Sequence, residues 1–316
     1  MIMQFQPDIA LIKISSPSPL KAFISISFIG RLLLIINFIF ASFATAAGGR
    51  VEALQMPAWL DRGGVLSALK PGINLQPGDK LITGANARLL LKMDEGSLVK
   101  LGENAELYFD KLIPAEEEQG FFEATMRLIK GAFRFTTTTL GKTRRRQVSV
   151  SIGSITAGIR GTDIWGSSTI DKDILCLIEG KITAKRTGEP EFKMQDSLSS
   201  YIVPKNKPAL PVAPVPEAKL AKWANETELQ TASGILSIDG KWAVNLMSVT
   251  NNASIRPVMA SLTAAGYAAQ IERAEIKGKN WYRLRVSSFK TPEDARAFAK
   301  TIEGTHGIAS PWIIKF

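Results

Sequence analysis

The hydrophobic and polar positions from residue 240 onward repeat one pattern, in which a strand is followed by a helix. The predicted elements are strands at 242–249, 268–276, 281–289 and 310–315 and helices at 254–265 and 291–303. Thr291 supplies a helix N-cap with proline after it, and Gly266 and Gly304 end the two helices. The order βαββαβ predicts a small α+β domain with both helices on one face of the sheet and the other face open.

Strand alternation assigns the side chains of this sheet to its two faces. If Leu284 and Val286 point at the helices, the residues between them point to the open face. The residues predicted to bind a ligand there are Asn245, Met247, Trp281, Arg283, Arg285 and Ser287. Indole rings stack on the apolar faces of sugars, while guanidinium and amide groups hydrogen-bond hydroxyl, carbonyl or carboxylate groups. The open face therefore suits a polar polymer.

Residues 51–203 consist of short apolar runs separated by glycine, proline and aspartate. The runs 87–93 and 98–101, for example, flank a turn in which Gly96 can adopt a positive φ. One helix is predicted, at 116–128. Many short strands with regular turn signals predict an all-β sandwich or roll over 48–203.

Five prolines fall within the thirteen residues 204–216. Proline has a fixed φ and no N–H donor, so this stretch is expected to form neither a ladder nor a helix and to act as an extended spacer. A short helix at 217–230 is compatible with the sequence that follows this stretch. The predicted organisation is multidomain: an N-terminal segment at 1–47, an all-β domain at 48–203, a linker at 204–239 and a second domain at 240–316.

The N-terminal segment carries basic residues before an apolar run at 32–41, and small residues, including Ala46 and Ala47, follow that run. This order is typical of a secretory signal peptide, with cleavage expected near Ala46 or Ala47. The run is short for a membrane span, which needs about 20 apolar residues. An uncleaved signal anchor is the alternative, because 24–29 adds apolar length. Either way the bulk of the chain is expected to be exported.

Charge and cysteine content limit the cellular compartments in which the protein is expected to work. The chain has 316 residues, a net charge of +10 and a single cysteine, Cys176, so an intrachain disulfide is excluded. Export without a cysteine framework favours a bacterial periplasmic protein. A basic exported surface is expected to meet anionic envelope polymers or lipid head groups, with membrane contact only through an uncleaved N-terminal segment. Cys176 lies in an apolar run and is predicted to be a buried small hydrophobe.

Five motifs of the all-β region occur in a characteristic order. They are Leu75-Gln-Pro-Gly-Asp-Lys-Leu-Ile-Thr-Gly84, Asp94-Glu-Gly-Ser97, Lys130-Gly-Ala-Phe133, Thr156-Ala-Gly-Ile-Arg-Gly-Thr162 and Glu179-Gly-Lys-Ile182. The region resembles a FecR-type domain, a family named for the periplasmic part of the iron-citrate signal transducer. The resemblance implies an all-β fold. Iron signalling itself would need a cytoplasmic regulatory domain, for which the residues before 32 are too few. A protein-interaction or scaffold role is expected instead.

The C-terminal region resembles a SPOR domain, the sporulation-related repeat that binds peptidoglycan stripped of its stem peptides. The resemblance rests on the strands Val244-Asn-Leu-Met-Ser-Val249 and Tyr282-Arg-Leu-Arg-Val-Ser-Ser-Phe289, with their helices at the expected spacing. The family has Gln, Gly and Phe at the positions of Asn245, Met247 and Val249, and Gly at that of Ser287. Asn245 keeps the amide on a shorter arm, while Met247 and Ser287 add side chains. The resemblance implies glycan strands as the ligand.

Nucleic acid is not an expected partner, although the same ferredoxin-like or RNP-like order occurs in RNA-binding domains. Those domains stack bases on aromatic residues of both central strands, and the first strand here offers only Met247 outward. Catalysis is not expected either. The sole histidine, His306, lies in a glycine-containing loop and is predicted to be solvated, and we expect no catalytic residues, metal site or cofactor.

The sequence therefore predicts a non-catalytic periplasmic envelope protein that binds peptidoglycan glycan strands through residues 240–316. The FecR-type domain would recruit or scaffold another protein, with envelope or cell-division proteins as candidate partners. The alternative is a periplasmic signalling or adaptor protein in which both domains bind proteins.

Overall fold

A computed structural model describes residues 48–114, 121–138 and 145–316. The predicted signal peptide or anchor at 1–47 lies outside the described residues. Among the residues described, no helix combines the length and apolar character needed to cross a membrane.

The N-terminal part of the described chain is built from strands alone. They are β1 (Gly49–Gln55), β2 (Ala58–Arg62), β3 (Val65–Ala68), β4 (Lys80–Thr83), β5 (Arg88–Met93), β6 (Leu98–Leu101), β7 (Glu106–Ile113), β8 (Phe121–Thr136), β9 (Arg145–Ile152), β10 (Ile155–Ile159), β11 (Asp163–Ser168), β12 (Lys172–Glu179), β13 (Ile182–Arg186), β14 (Phe192–Met194) and β15 (Ser199–Pro204). The all-β prediction for this region is confirmed. The turn between β5 and β6 has Gly96 at φ 98°, as expected.

Two sheets share one core. The first runs β3-β2-β4-β7-β8-β9-β10-β13-β14 and the second β1-β5-β6-β8-β11-β12-β15. The long strand β8 belongs to both sheets and passes from one to the other at Gly131. Gly131 has φ 87°, and a Cβ there would lie 2.5 Å from Ala105. Glycine is required at this point because the two chains cross so closely.

The helix predicted at 116–128 is wrong. Residues 115–120 lie outside the described residues, and β8 begins at Phe121. Phe122, Ala124, Met126 and Leu128 are buried in turn, while the residues between them are not. A period of two is the signature of a strand with one buried face, and here it overrides the helix-favouring residues that precede it.

The proline-rich stretch 204–216, predicted to be an extended spacer that forms no ladder, is instead hydrogen-bonded to the all-β region. β16 (Ala213–Pro214) pairs with β15, and helix α1 (Glu217–Thr227) follows. β17 (Ile235–Ser237) pairs with β1 over three residues and meets the C-terminal sheet at Phe289. Proline is tolerated in β16 because that strand lies at a sheet edge. The domain boundaries themselves stay a prediction.

Helix α1 is fixed to the second sheet by aromatic stacking. The Trp223 ring lies parallel to the Trp165 ring, with 4.5 Å between centroids and an interplanar angle of 6°. Arg134 donates to Glu228, just beyond the helix, at 3.2 Å and to Asp163 at 2.7 Å.

The prediction that Cys176 is a buried small hydrophobe is confirmed. Cys176 is fully buried in the same cluster as Trp165 and Trp223, and burial raises the pKa of its thiol to about 12.

The C-terminal part has the predicted βαββαβ order. Its elements are β18 (Trp242–Val249), α2 (Asn252–Ala264), β19 (Gln270–Ile276), β20 (Lys279–Phe289), α3 (Pro292–Ile302) and β21 (Trp312–Lys315). The antiparallel sheet runs β19-β20-β18-β21. Thr291 accepts a hydrogen bond from the backbone N–H of Asp294, which confirms the predicted N-cap of α3.

Both helices contribute buried side chains to the core that also holds Val244, Leu284 and Val286 of the sheet. The helix residues concerned are Ile255, Leu262, Ala295, Phe298 and Ile302. Asp294 is 1% exposed, and its carboxylate accepts hydrogen bonds from the backbone N–H groups of Ser233 and Ile235. These two hydrogen bonds fix the beginning of β17 against the first turn of α3, and β17 in turn pairs with β1.

Candidate functional site

The register of the C-terminal sheet shows which residues share its open face. Directly opposite residues on antiparallel strands carry their side chains on the same face. Asn245 lies opposite Arg285 on β20 and opposite Trp312 on β21. Arg283 and Trp281, at alternate positions along β20, lie on the face of Arg285. Four of the six predicted residues therefore come together as expected.

Met247 does not join them. The register between β18 and β20 shifts between Asn245 and Met247, which places Met247 opposite the fully buried Leu284. Met247 accordingly packs against the core on the helix side. The extra residue of a β-bulge reverses the alternation beyond it. Ser248, opposite Arg283, takes the place on the open face that was assigned to Met247.

Ser287 lies beside the cluster, near a second irregularity of the sheet. The register shifts between Trp242 and Val244, and Ser288 on the partner strand has φ 74°. The Oγ of Ser287 accepts a hydrogen bond from Gln270 Nε2 at 3.4 Å. Its hydroxyl is thus tied to β19, and a contact between Ser287 and a ligand stays a prediction.

Three polar atoms of the open face lack hydrogen-bond partners within the described chain. They are Asn245 Oδ1, Arg283 Nε and Arg285 Nε. Asn245 is 1% exposed and Arg285 is 9% exposed. Leaving such a buried group unsatisfied costs about 1–3 kcal/mol, so each one in a native protein needs an explanation, of which a functional role is one. The cluster combines one amide with two guanidinium groups, a set of side chains whose hydrogen-bonding chemistry suits hydroxyl, amide and carboxylate groups.

Two residues of the site were missed from the sequence, and both need the strand register to be found. Glu272 lies opposite Arg283, and its Oε2 accepts from Arg285 Nη2 at 2.8 Å. Trp312 is 41% exposed on the edge strand opposite Asn245. The alternation of residues in 268–276 and 312–315 indicated that Glu272 and Trp312 lie in strands. It did not show which strands pair with these two, and so it could not place either residue beside the site. The face thus holds two guanidinium groups, one carboxylate and two indoles.

His306, predicted to be solvated, is half-buried. Its Nδ1 lies 2.9 Å from Ser261 Oγ, and its ring meets Tyr267 edge-on. The hydrogen bond ties the loop after α3 to helix α2. The hydrogen bonds of the described residues give the ring no carboxylate partner. Within the same residues, no group of three or more His, Cys, Asp or Glu is arranged to hold a metal ion.

A separate cleft of about 650 Å³ lies where β1, the connecting segment and α3 meet. Its wall includes Gln55, Arg88 and Gln230, and its apolar side includes Tyr267 and Phe298. Burial raises the pKa of the Tyr267 hydroxyl. The cleft is lined by none of the six predicted ligand-binding residues, so it is distinct from the open face.

Family models match two parts of the chain. Residues 79–183 match the model described as FecR protein, and residues 239–315 match the SPOR domain model. The chain carries a FecR domain followed by a C-terminal SPOR domain. Both are typically domains of the periplasm or cell envelope.

No curated relative matches the chain. Two crystal structures of a "putative anti-sigma factor" from Parabacteroides distasonis are similar over 64% of this chain and 96% of that one. The sequence identities are 10% and 11%, and the TM-score is 0.37 for each.

Proposed function

We propose that this chain is an exported, non-catalytic envelope protein that binds peptidoglycan through the open face of its SPOR domain. The ligand is the glycan strand from which the stem peptides have been removed. One observation carries the proposal: Asn245, Arg283 and Arg285 lie together on this face with unsatisfied polar atoms. Such a cluster is maintained at a cost to folding that a polar ligand offsets.

The chemistry of the face fits a glycan. Trp281 and Trp312 lie on the same face as the polar cluster, on the central strand β20 and the edge strand β21. Flat indole rings favour the apolar faces of sugars, and guanidinium groups favour carboxylates with two parallel hydrogen bonds. A strand crossing from β21 to β20 would meet aromatic, amide and guanidinium groups in turn.

The two domains and the signal peptide predicted at 1–47 support a location outside the cytoplasm. The protein would act in the periplasm, released by cleavage near Ala46 or Ala47 or held by an uncleaved anchor. Glycan without stem peptides arises where amidases act, so binding would concentrate the protein at division sites.

The FecR domain is proposed to be a protein-interaction or scaffold module. Val65 is 70% exposed and Leu66 is 54% exposed, both on β3. Among the described strands, β3 pairs only with β2 and forms an edge of the first sheet. An exposed apolar edge strand is a ready surface for a strand of another protein. The same observation favours the second candidate function, a signalling or adaptor protein in which both domains bind proteins.

The test is co-sedimentation of purified residues 48–316 with peptidoglycan sacculi before and after amidase treatment. We use this range because β17 joins the SPOR sheet to β1, so residues 240–316 alone would lose a native pairing. The proposal predicts that more protein pellets after treatment, at moderate salt. An Arg285→Ala variant should pellet about tenfold less, since a charge-assisted hydrogen bond contributes about 1.5–3 kcal/mol.

Two results would count against glycan binding. One is an absence of pelleting with either sample, which would leave the adaptor function as the better account. The other is pelleting that is abolished by moderate salt and unaffected by Arg285→Ala, because that behaviour indicates nonspecific attraction to a basic protein.

A further inference from the structure

We propose that Glu272 is a built-in competitor for the ligand carboxylate at Arg285, and that it sets how tightly the open face holds an anionic glycan. The inference rests on the proposed function and adds to it. Glu272 Oε2 accepts from Arg285 Nη2 at 2.8 Å, and the strand register places Glu272 opposite Arg283. The carboxylate is therefore paired with the guanidinium group of Arg285, and its own residue lies directly opposite Arg283.

The two members of this ion pair differ in exposure. The Arg285 side chain is 10% exposed, while that of Glu272 is 42% exposed. The guanidinium group is largely buried, whereas the carboxylate can turn into solvent without uncovering the core. A carboxylate of a ligand can replace it on Arg285, and Glu272 regains hydration in exchange. Because the Glu272 end of the pair is 42% exposed, solvent screens its charge and weakens the attraction, so the exchange is readily reversible.

The ligand carries the group that this exchange requires. Hydrolysis of the amide between a muramic acid residue and its stem peptide leaves a free carboxylate on the sugar. An intact strand has a neutral amide at that position. Arg285 would favour the stripped strand, because guanidinium–carboxylate hydrogen bonds are about twice as strong as neutral ones. Glu272 lowers the affinity of each single contact, so that retention depends on several contacts along one strand.

The experiment compares Glu272→Gln with Glu275→Gln in residues 48–316. Both changes remove one negative charge from β19, but Glu275 lies opposite Asn280, three residues from Glu272 and therefore on the other face. Binding is measured to purified peptide-stripped glycan, and to the same glycan with its carboxylates converted to primary amides. Thermal unfolding checks that each variant is folded.

We expect Glu272→Gln to bind the stripped glycan about threefold to fivefold more tightly than the wild type, since an ion pair worth up to ~1 kcal/mol is removed. Glu275→Gln should change the affinity by less than about twofold, because its charge is screened from the site by solvent. Conversion of the carboxylates to amides should weaken binding of every protein and abolish the gain of Glu272→Gln.

Each other outcome overturns part of the account. If the wild type binds stripped glycan and Glu272→Gln binds it no more tightly than Glu275→Gln, the competitor role is wrong and the proposed function stands. A gain that persists with the amidated glycan also overturns the competitor role. If only Glu272→Gln binds, the competitor role holds and glycan binding by the natural chain fails. If neither binds, both are wrong.

Discussion

Two polar clusters of this molecule lie on sheets and are both largely buried, but they differ in hydrogen bonding. In the FecR region the Asp173 carboxylate accepts from Ser154 N at 2.9 Å, Ser154 Oγ at 2.8 Å, Ser168 Oγ at 2.7 Å and Lys205 Nζ at 2.6 Å. On the SPOR face, atoms of Asn245, Arg283 and Arg285 have no partner among the described residues.

This difference in hydrogen bonding helps to distinguish a polar cluster that stabilises the fold from one that is available to a ligand. A buried polar group with all its partners fixes the fold, whereas an incompletely satisfied one destabilises the fold unless something else compensates. Natural chains retain such a defect where a site requires it. The comparison supports a structural role for Asp173 and is consistent with the binding role proposed for the open face, and each role can be tested by substitution.

The largest effect is expected at Asp173. Replacement by alanine leaves the Lys205 ammonium and two serine hydroxyls without their acceptor. We expect the free energy of unfolding to fall by roughly 3 kcal/mol, as when a buried ion pair loses one member. Urea unfolding of residues 48–316 measures it, with Asp171→Ala, an exposed aspartate of the same hairpin, as the control. A loss equal to that of the control would refute the structural role.

Asn245→Leu should maintain or increase stability but weaken glycan binding. The change removes an unsatisfied buried oxygen, so the free energy of unfolding should stay the same or rise by about 1 kcal/mol. Binding of stripped glycan should fall about tenfold, the equivalent of ~1.4 kcal/mol. Asn252→Leu is the matched control, since its Oδ1 is also unsatisfied but belongs to α2. Equal binding by the two variants would break the comparison.

The bulge in β18 leads to a prediction of smaller effect, which tests whether Ser248 or Met247 belongs to the open face. Ser248→Glu places a negative charge opposite Arg283 and should weaken glycan binding about threefold, as expected for a partly exposed charge pair. Met247→Leu, on the core side, should leave binding unchanged and alter stability by less than about 1.5 kcal/mol. The reverse pattern in the binding assay would mean that Met247 faces the ligand.

The smallest effect concerns pH. Burial by itself would raise the pKa of Asp173, but hydrogen bonds from Lys205, Ser154 and Ser168 outweigh it and hold the pKa below its ordinary value. A carboxylate with a lowered pKa stabilises the fold above its unfolded pKa of about 3.9 and loses that contribution as the pH falls through the folded pKa.

The stability difference between wild type and Asp173→Asn should therefore be constant near neutral pH and shrink below about pH 4. Thermal unfolding at a series of pH values measures it. A difference that persists unchanged at the lowest pH would show that ionised Asp173 does not contribute in this way.

The sequence predicted the order of the SPOR elements because their signals are local. Thr291 with its proline, Gly266 and Gly304 mark helix ends without reference to the rest of the chain. Alternation along β20 likewise placed Arg283 and Arg285 on one face, since that strand is regular through this stretch.

What could not be predicted depends on contacts distant in sequence. The bulge that turns Met247 to the core and the pairing that brings Glu272 to Arg285 are properties of strand register. The docking of the connecting segment depends on the stack of Trp165 and Trp223, 58 positions apart in the sequence. Proline content alone indicated a spacer, because composition does not show which surface a segment meets.

The most direct test of glycan binding at the open face is hydrogen–deuterium exchange of residues 48–316 with and without purified peptide-stripped glycan. We predict slower amide exchange in the peptides that contain 242–249 and 279–289, and no change in 88–101 of the FecR region. Unchanged exchange in both SPOR strands at a glycan concentration that saturates binding, or protection confined to the FecR region, would contradict the account.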